Sequence, residues 1–314
     1  MDDLKEISFV IPCYNSENTI EDVIKEIETT MKSHKEDSYE IVLVNDCSKD
    51  NVWKTIEKLC NSNKKIKAIN FAKNFGQHAA LIAGYRETNG KIVVSLDDDQ
   101  QTPVEEVYSL IDKINENCDV VYASYKHKKH NIFRNIGTVF NNLMCEIMLN
   151  KRKDIMITSF FAAKKFVIDE IVKYKNSYTY VPGLVLRTTS HIENVPVNHR
   201  ARAKGSSGYT FSKLLGLWIN GFTAFSVIPL RISTIIGVIS TIIGFIYGLC
   251  IVINKLFLNT ITVQGYASIV ALILFVGGII MMMLGMIGEY IGRIYICLND
   301  SPQYVIKDKI NTDK

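Results

Sequence analysis

The chain has 314 residues, a net charge of +4, 47% apolar side chains and 22% charged ones. That length allows one sizeable domain with an appendage, and so weak a charge without a basic, aromatic-interleaved stripe gives no reason to expect a nucleic-acid partner. Seven cysteines are scattered at positions 13, 47, 60, 118, 145, 250 and 297 with no CxxC pair, a pattern of reduced thiols rather than a disulfide framework.

The opening residues, Met1–Glu6, are acidic and carry no apolar run, so no export signal is expected. Ile7–Ile11 reads as a buried strand closed by Pro12. Residues 17–33 place Ile20, Val23, Ile24, Ile27 and Met31 at helical spacing. Ile41–Val44 repeats the strand signal before a helix near Val52–Leu59. Ile66–Phe71 is a third strand, Ala79–Tyr85 a helix and Ile92–Leu96 a fourth strand. A helix over Val104–Ile114 and a strand at Val120–Ala123 follow. Strand and helix alternating at this spacing imply an α/β fold with a mostly parallel central sheet, covered on both faces.

Residues 209–226 place Phe211, Leu214, Leu215, Trp218, Ile219, Phe222 and Phe225 every three or four positions, as an interfacial amphipathic helix does. Ile232–Ile253 and Ala267–Gly288 then run without a charge. Each would extend roughly 33 Å as a helix, enough for a bilayer core of roughly 30 Å. Arg231 and Arg293 flank the pair, with Lys307 and Lys309 beyond, and Lys255 alone lies between. This bias places both ends on the cytosolic side of the cell membrane. Glycines in both spans allow close packing and, with it, homo-oligomerisation. The expected organisation is a catalytic domain over residues 1–208, the interfacial helix over 209–230, a two-helix membrane region over 231–290 and a cytosolic tail over 291–314.

In open α/β sheets, ligands bind beyond the carboxyl ends of the strands. The first such turn, Pro12 to Glu17, has no glycine fingerprint, which disfavours a dinucleotide-dependent dehydrogenase and a P-loop NTPase. After the fourth strand come three adjacent carboxylates, Asp97, Asp98 and Asp99. Like charges so close raise one another's pKa, and a hard divalent cation relieves them while keeping phosphate oxygens in its shell. The bland alternative is a solvated acidic turn ahead of Pro103. Position at the end of a buried strand favours the functional reading.

Several segments carry a family resemblance. Val10-Ile11-Pro12-Cys13-Tyr14-Asn15-Ser16-Glu17, Ile41 through Asp50, and Asn74-Phe75-Gly76-Gln77 resemble family 2 glycosyltransferases of the GT-A fold. Asp97 and Asp99 fall where that family has its DxD motif. With two C-terminal spans the chain looks like the polyprenyl-phosphate branch, similar to dolichol-phosphate mannose synthases and bacterial undecaprenyl-phosphate glucosyltransferases. The resemblance implies that Pro12, Tyr14 and Glu17 line the nucleotide, that Asp46 accepts a hydrogen bond from a base such as uracil, and that Asn74 and Asp98 complete the nucleotide-sugar site. It implies that Asp97 and Asp99 hold Mg²⁺ or Mn²⁺ on the donor diphosphate. It also implies that Arg202, Ser207 and Tyr209 reach the acceptor phosphate, although Gly208 replaces the family's lysine there. The rival reading of 202–209 is a basic linker.

One departure bears on the acceptor. Where relatives have a candidate catalytic base before the strand Phe160-Phe161-Ala162-Ala163-Lys164, this chain has Ser159. A sugar hydroxyl needs a base, whereas a lipid phosphate, with its second pKa near 6, is already a nucleophile at neutral pH. The expected reaction is inverting transfer from a nucleotide diphosphate sugar to polyprenyl phosphate, with Asp99 and Ser159 as the catalytic candidates. Competing readings are transfer to a lipid-linked saccharide hydroxyl and a catalytically silent membrane scaffold.

Overall fold

The first strand, β1 (Lys5–Cys13), sits near the middle of the fold because its apolar residues are covered on both sides. The structure, a computed structural model, describes residues 5–125, 146, 151–177, 179–198, 228–257, 265–299 and 301–312. After β1 come α1 (Ile20–Ser33), β2 (Tyr39–Asn45), α2 (Val52–Ser62), β3 (Ile66–Phe71), α3 (Gln77–Arg86) and β4 (Gly90–Ser95). A single turn at Val104–Glu106 leads into α4 (Val107–Asn115) and β5 (Val120–Tyr125). Then follow β6 (Phe161–Lys164), α5 (Lys165–Val172), α6 (Val181–Thr188) and β7 (Ile192–Val197). Two long helices, α7 (Ile228–Phe257) and α8 (Tyr266–Leu298), precede β8 (Ile306–Ile310).

The eight strands lie in the order β7-β5-β6-β4-β1-β2-β3-β8. β4, β1, β2 and β3 pair in parallel, as do β5 and β7, while β6 and β8 run against their neighbours. Every residue of β2 and β3 is buried, as a sheet covered on both faces requires. On one face α1, α2 and α4 bury the side chains that their helical spacing put in line, among them Ile24, Ile27, Ile56 and Leu110, against Phe9, Ile11 and Leu43. On the other, α3 packs on β1 and β2 through small residues. A Cβ at Gly84 would meet Val10 Cγ1 at 2.4 Å, so only glycine lets this helix lie so close.

Strand order decides where a ligand goes. The chain moves from β1 outward through β2 and β3, then returns to place β4 on β1's other side. The connections on either side of that switch leave in opposite directions, which opens a crevice beyond the strand ends. The β1–β4 ladder stops at Val10 and Ser95, while β1 stays paired with β2 through Pro12 and Cys13. Pro12 has no N–H with which to extend a ladder toward β4.

The sequence pattern showed no strand in the expected tail, and the sheet corrects that reading. Ile306–Ile310 is an antiparallel edge strand on β3, and Ala72 N–H donates to Val305 O at 2.9 Å. Just upstream, Gln303 is buried: its Nε2 donates to Asn176 O and Thr179 Oγ1, and its Oε1 accepts from Arg86. Charged residues alternating in Ile-Lys-Asp-Lys-Ile hide such a strand from an apolarity scan, and the same charges suit an exposed edge.

The chain divides into two units, Met1–Leu214 with Asp300–Lys314, and Leu215–Asn299. In the second, Phe275–Leu298 is long and apolar enough to cross a membrane, with a shorter apolar stretch at Thr234–Ile246. Large apolar side chains along both helices are uncovered, including Ile243, Phe245, Phe275 and Met281. The six cysteines among the described residues are free. The interfacial helix expected at 209–226 lies outside the described residues.

Candidate active site

The loops after β1, β2, β3 and β4 meet at the switch point, and their backbone groups are tied to one another's side chains. Glu17 N–H donates to Asp50 Oδ2 at 2.9 Å, and Asn51 N–H donates to Glu17 Oε2 at 3.1 Å. Asn15 Oδ1 accepts from Lys49 N–H at 2.9 Å. Asn15, Cys47 and Gln100, in the loops after β1, β2 and β4, have φ of 55°, 52° and 62°. Non-glycine residues adopt that left-handed region at a cost, so these loops are held in shape by their surroundings.

The three aspartates after β4 divide their work. Asp98 turns inward: Tyr14 N–H donates to its Oδ2 at 2.9 Å, and Thr19 Oγ1 donates to its carbonyl at 2.6 Å. Burial, more than its two acidic neighbours, lifts the Asp98 carboxyl to about 6. Asp98 therefore joins the β1 and β4 loops across the crevice. Asp97 accepts from Gln77 Nε2 at 3.0 Å on Oδ1 and from Ser159 Oγ on Oδ2. Asp99 Oδ1 accepts from Gln101 N–H at 3.1 Å.

Sheet register explains the Ser159 contact. In the antiparallel β4–β6 pair Ile92 faces Lys164 and Ser95 faces Phe161. Two residues further along the same register, Asp97 faces Ser159. That pairing was invisible in the sequence, because β6 enters between β4 and β5 from far down the chain.

Asp46 is 4% exposed, and both of its carboxylate oxygens are engaged within the protein. Its Oδ1 and Oδ2 accept the N–H groups of Phe75 at 2.7 Å and Gly76 at 2.8 Å, while Asn74 Nδ2 donates to its carbonyl at 3.2 Å. Burial raises its carboxyl above the ordinary range, and the two amides pull it back. Pro12 is buried in β1, whereas Tyr14, just beyond the strand, is 47% exposed.

Three residues that sequence reasoning passed over stand in or beside this group. Gln77 holds Asp97. Tyr125, at the end of β5, has its phenol raised by burial and then by the charges of Asp97 and Asp99. His78, beside Gln77, meets the Tyr180 ring edge-on at 5.2 Å, and its Nδ1 is buried without a hydrogen-bond partner. Gln77 closes the Asn74–Gln77 segment but was given no role there, and Tyr125 and His78 belong to no motif legible in one dimension. Arg202, Ser207 and Tyr209 lie outside the described residues.

Among the described residues no three His, Cys, Asp or Glu side chains gather as a metal cluster. Asp97 and Asp99 could offer hard carboxylate oxygens, and two carboxylates would suit an ion that keeps water and substrate phosphate in its shell. A preformed all-protein cage is not needed.

Comparison with known proteins bears on the family and the fold. Residues 8–172 match the family described as Glycosyl transferase family 2, and residues 228–294 match the GtrB C-terminal hairpin. The chain is 29% identical to an undecaprenyl-phosphate 4-deoxy-4-formamido-L-arabinose transferase of Proteus mirabilis, over 99% of this chain and 96% of that protein. It is 32% identical to the uncharacterized glycosyltransferase YkcC of Bacillus subtilis, over 96% and 93% of the two chains. In fold it is similar to glucosyl-3-phosphoglycerate synthase from Mycobacterium tuberculosis, at a TM-score of 0.53 and 17% identity over 70% of this chain and 80% of that one. On the family match and the relatives together, the chain belongs to glycosyl transferase family 2.

Proposed function

We propose that this chain transfers one sugar, with inversion, from a nucleotide diphosphate sugar carried on UDP to the phosphate of a polyprenyl lipid. The reaction would take place at the cytosolic face of the cell membrane, with α7 and α8 as two spans. The named Proteus mirabilis relative aligns over nearly the whole chain, which supports the acceptor class. The hairpin match and the uncovered apolar side chains support the membrane anchor. The fold neighbour was crystallised with Mn²⁺ and UDP-glucose, which is consistent with a divalent ion and a UDP donor here.

The hydrogen bond from Ser159 to Asp97 carries the reading. The position that holds a candidate base in relatives holds a hydroxyl here, and it is committed to a neighbouring aspartate. A phosphate acceptor is ionised without help at pH 7, whereas a sugar hydroxyl would wait for a base. Tyr14 and Glu17 line the nucleotide, with Pro12 beneath them, and Asp46 and Asn74 shape its floor. Asp98 keeps the β1 and β4 loops together. Asp97 and Asp99 would hold Mg²⁺ or Mn²⁺, which when bound neutralises charge on the departing diphosphate. Arg202, Ser207 and Tyr209 are assigned to the acceptor phosphate on sequence alone.

The test uses the full chain in lipid nanodiscs with UDP-sugars and undecaprenyl phosphate. Release of UDP should require both lipid phosphate and the ion, and the lipid product should carry a single, acid-labile phosphate. Asp99→Ala should abolish release. A product extended on a lipid-linked saccharide, or no turnover with any donor, would overturn the assignment.

A further inference from the structure

Asp97 is held from two directions by elements far apart in sequence. Gln77 Nε2 donates to Oδ1 at 3.0 Å from the first residue of α3, and Ser159 Oγ donates to Oδ2 from just before β6. Both supports are stiff. α3 is pressed onto β1 at Gly84, where a Cβ would lie 2.4 Å from Val10. Ser159 continues the β4–β6 register and is followed by Phe160, 1% exposed, whose carbonyl accepts from Ala123 N–H at 2.9 Å.

Both donors are also neutral. A lysine or arginine in either place would pair with Asp97 and compete with a cation for it, while a carboxylate would repel it. An amide and a hydroxyl fix the direction of the carboxylate and leave its charge to an incoming ion. Partners of this kind orient metal ligands and tune affinity without touching the metal.

We propose that Gln77 and Ser159 are positioning residues, a neutral clamp that holds Asp97 ready for the divalent ion. The inference rests on the reading of the site given above. It assigns Ser159 a task other than moving a proton, and it gives Gln77, the last residue of the Asn74–Gln77 segment, a role that the segment alone did not. Removing either donor frees a carboxylate torsion that the ion must then fix at binding. The cost therefore falls on ion affinity and not on the chemical step.

The experiment measures Mn²⁺ dissociation constants by electron paramagnetic resonance on the full chain in detergent, with UDP present. Gln77→Met keeps length and helix propensity but has no donor; Ser159→Ala removes the hydroxyl and Ser159→Thr retains one. Gln77→Met and Ser159→Ala should each weaken Mn²⁺ binding about tenfold, the low end for outer-shell partners. Ser159→Thr should restore binding. Melting temperature should match the wild type, and kcat should recover at saturating Mn²⁺. If both variants bind Mn²⁺ normally while Asp99→Asn does not, the clamp is wrong and the site assignment stands. If Asp97→Asn and Asp99→Asn also bind normally, the ion site itself is misassigned and the clamp falls with it. A lower melting temperature with kcat depressed at every Mn²⁺ concentration would make the two residues merely structural, which also overturns the proposal.

Discussion

Replacing Asp46 with alanine separates a ligand contact from a structural clamp. The carboxylate holds the N–H groups of Phe75 and Gly76 at 2.7 and 2.8 Å, and Gly76 adopts a φ of 91° that presents its amide to it. Asp46→Ala leaves both amides without their acceptor at a site that is 4% exposed. At about 1.5 kcal/mol for each deprived donor the loss is about 3 kcal/mol. For a domain of about 200 residues that corresponds to a fall of about 6–12 °C in melting temperature. Asp46→Asn retains one acceptor but turns an NH₂ toward the other amide, so it should fall between. Scanning fluorimetry in detergent reads the melting temperature, and calorimetric titration with UDP reads the site. UDP affinity should drop along with stability, because the loosened loop carries Asn74 and leads into Gln77. If Asp46→Ala loses UDP affinity at an unchanged melting temperature, Asp46 serves the ligand alone and the clamp reasoning is refuted.

Tyr304 stacks on Phe71 with ring centroids 5.1 Å apart and accepts a hydrogen bond from Arg86, so Tyr304→Ala should cost about 2 kcal/mol, half of a full aromatic deletion. Hydrogen exchange at Ile306–Ile310 should accelerate, and unchanged protection there would mean that β8 holds without this anchor. Burial depresses the His78 imidazole from 6.5 to about 4, so the unfolded chain takes up its proton first as pH falls. The associated stability is complete above pH 6.5 and declines between pH 6.5 and 4, by up to about 3 kcal/mol. His78→Phe should flatten that part of the stability–pH curve, and an unaltered slope would show that other groups set it.

Much of the first half of the fold was legible because its signals are local. Apolar runs such as Ile41–Val44 and helical spacing such as Ile20, Val23, Ile24, Ile27 and Met31 need no distant partner to be read. The regular alternation then forces crossovers and puts the carboxyl ends of β1 to β5 on one side. For the same reason the polar residues following β1 to β4 could be named as a group. β6, β7 and β8 were less legible. β6 is four residues long, β7 contains Pro196, and β8 is mostly charged. Each becomes a strand only because an existing edge offers it a ladder.

By itself, the sequence determined the α/β class, the acidic end of the fourth strand and the two long apolar stretches, because each is written in neighbouring residues. Only the tertiary structure decided how the three aspartates differ, since adjacent, chemically identical residues are told apart by what packs against them. Asp99 accepts from the Gln101 amide of its own turn, whereas Asp98 meets the Tyr14 amide and Asp97 meets Gln77 and Ser159. Those partners are brought together by strand order and register, which depend on pairings across scores of residues and leave no mark on local composition.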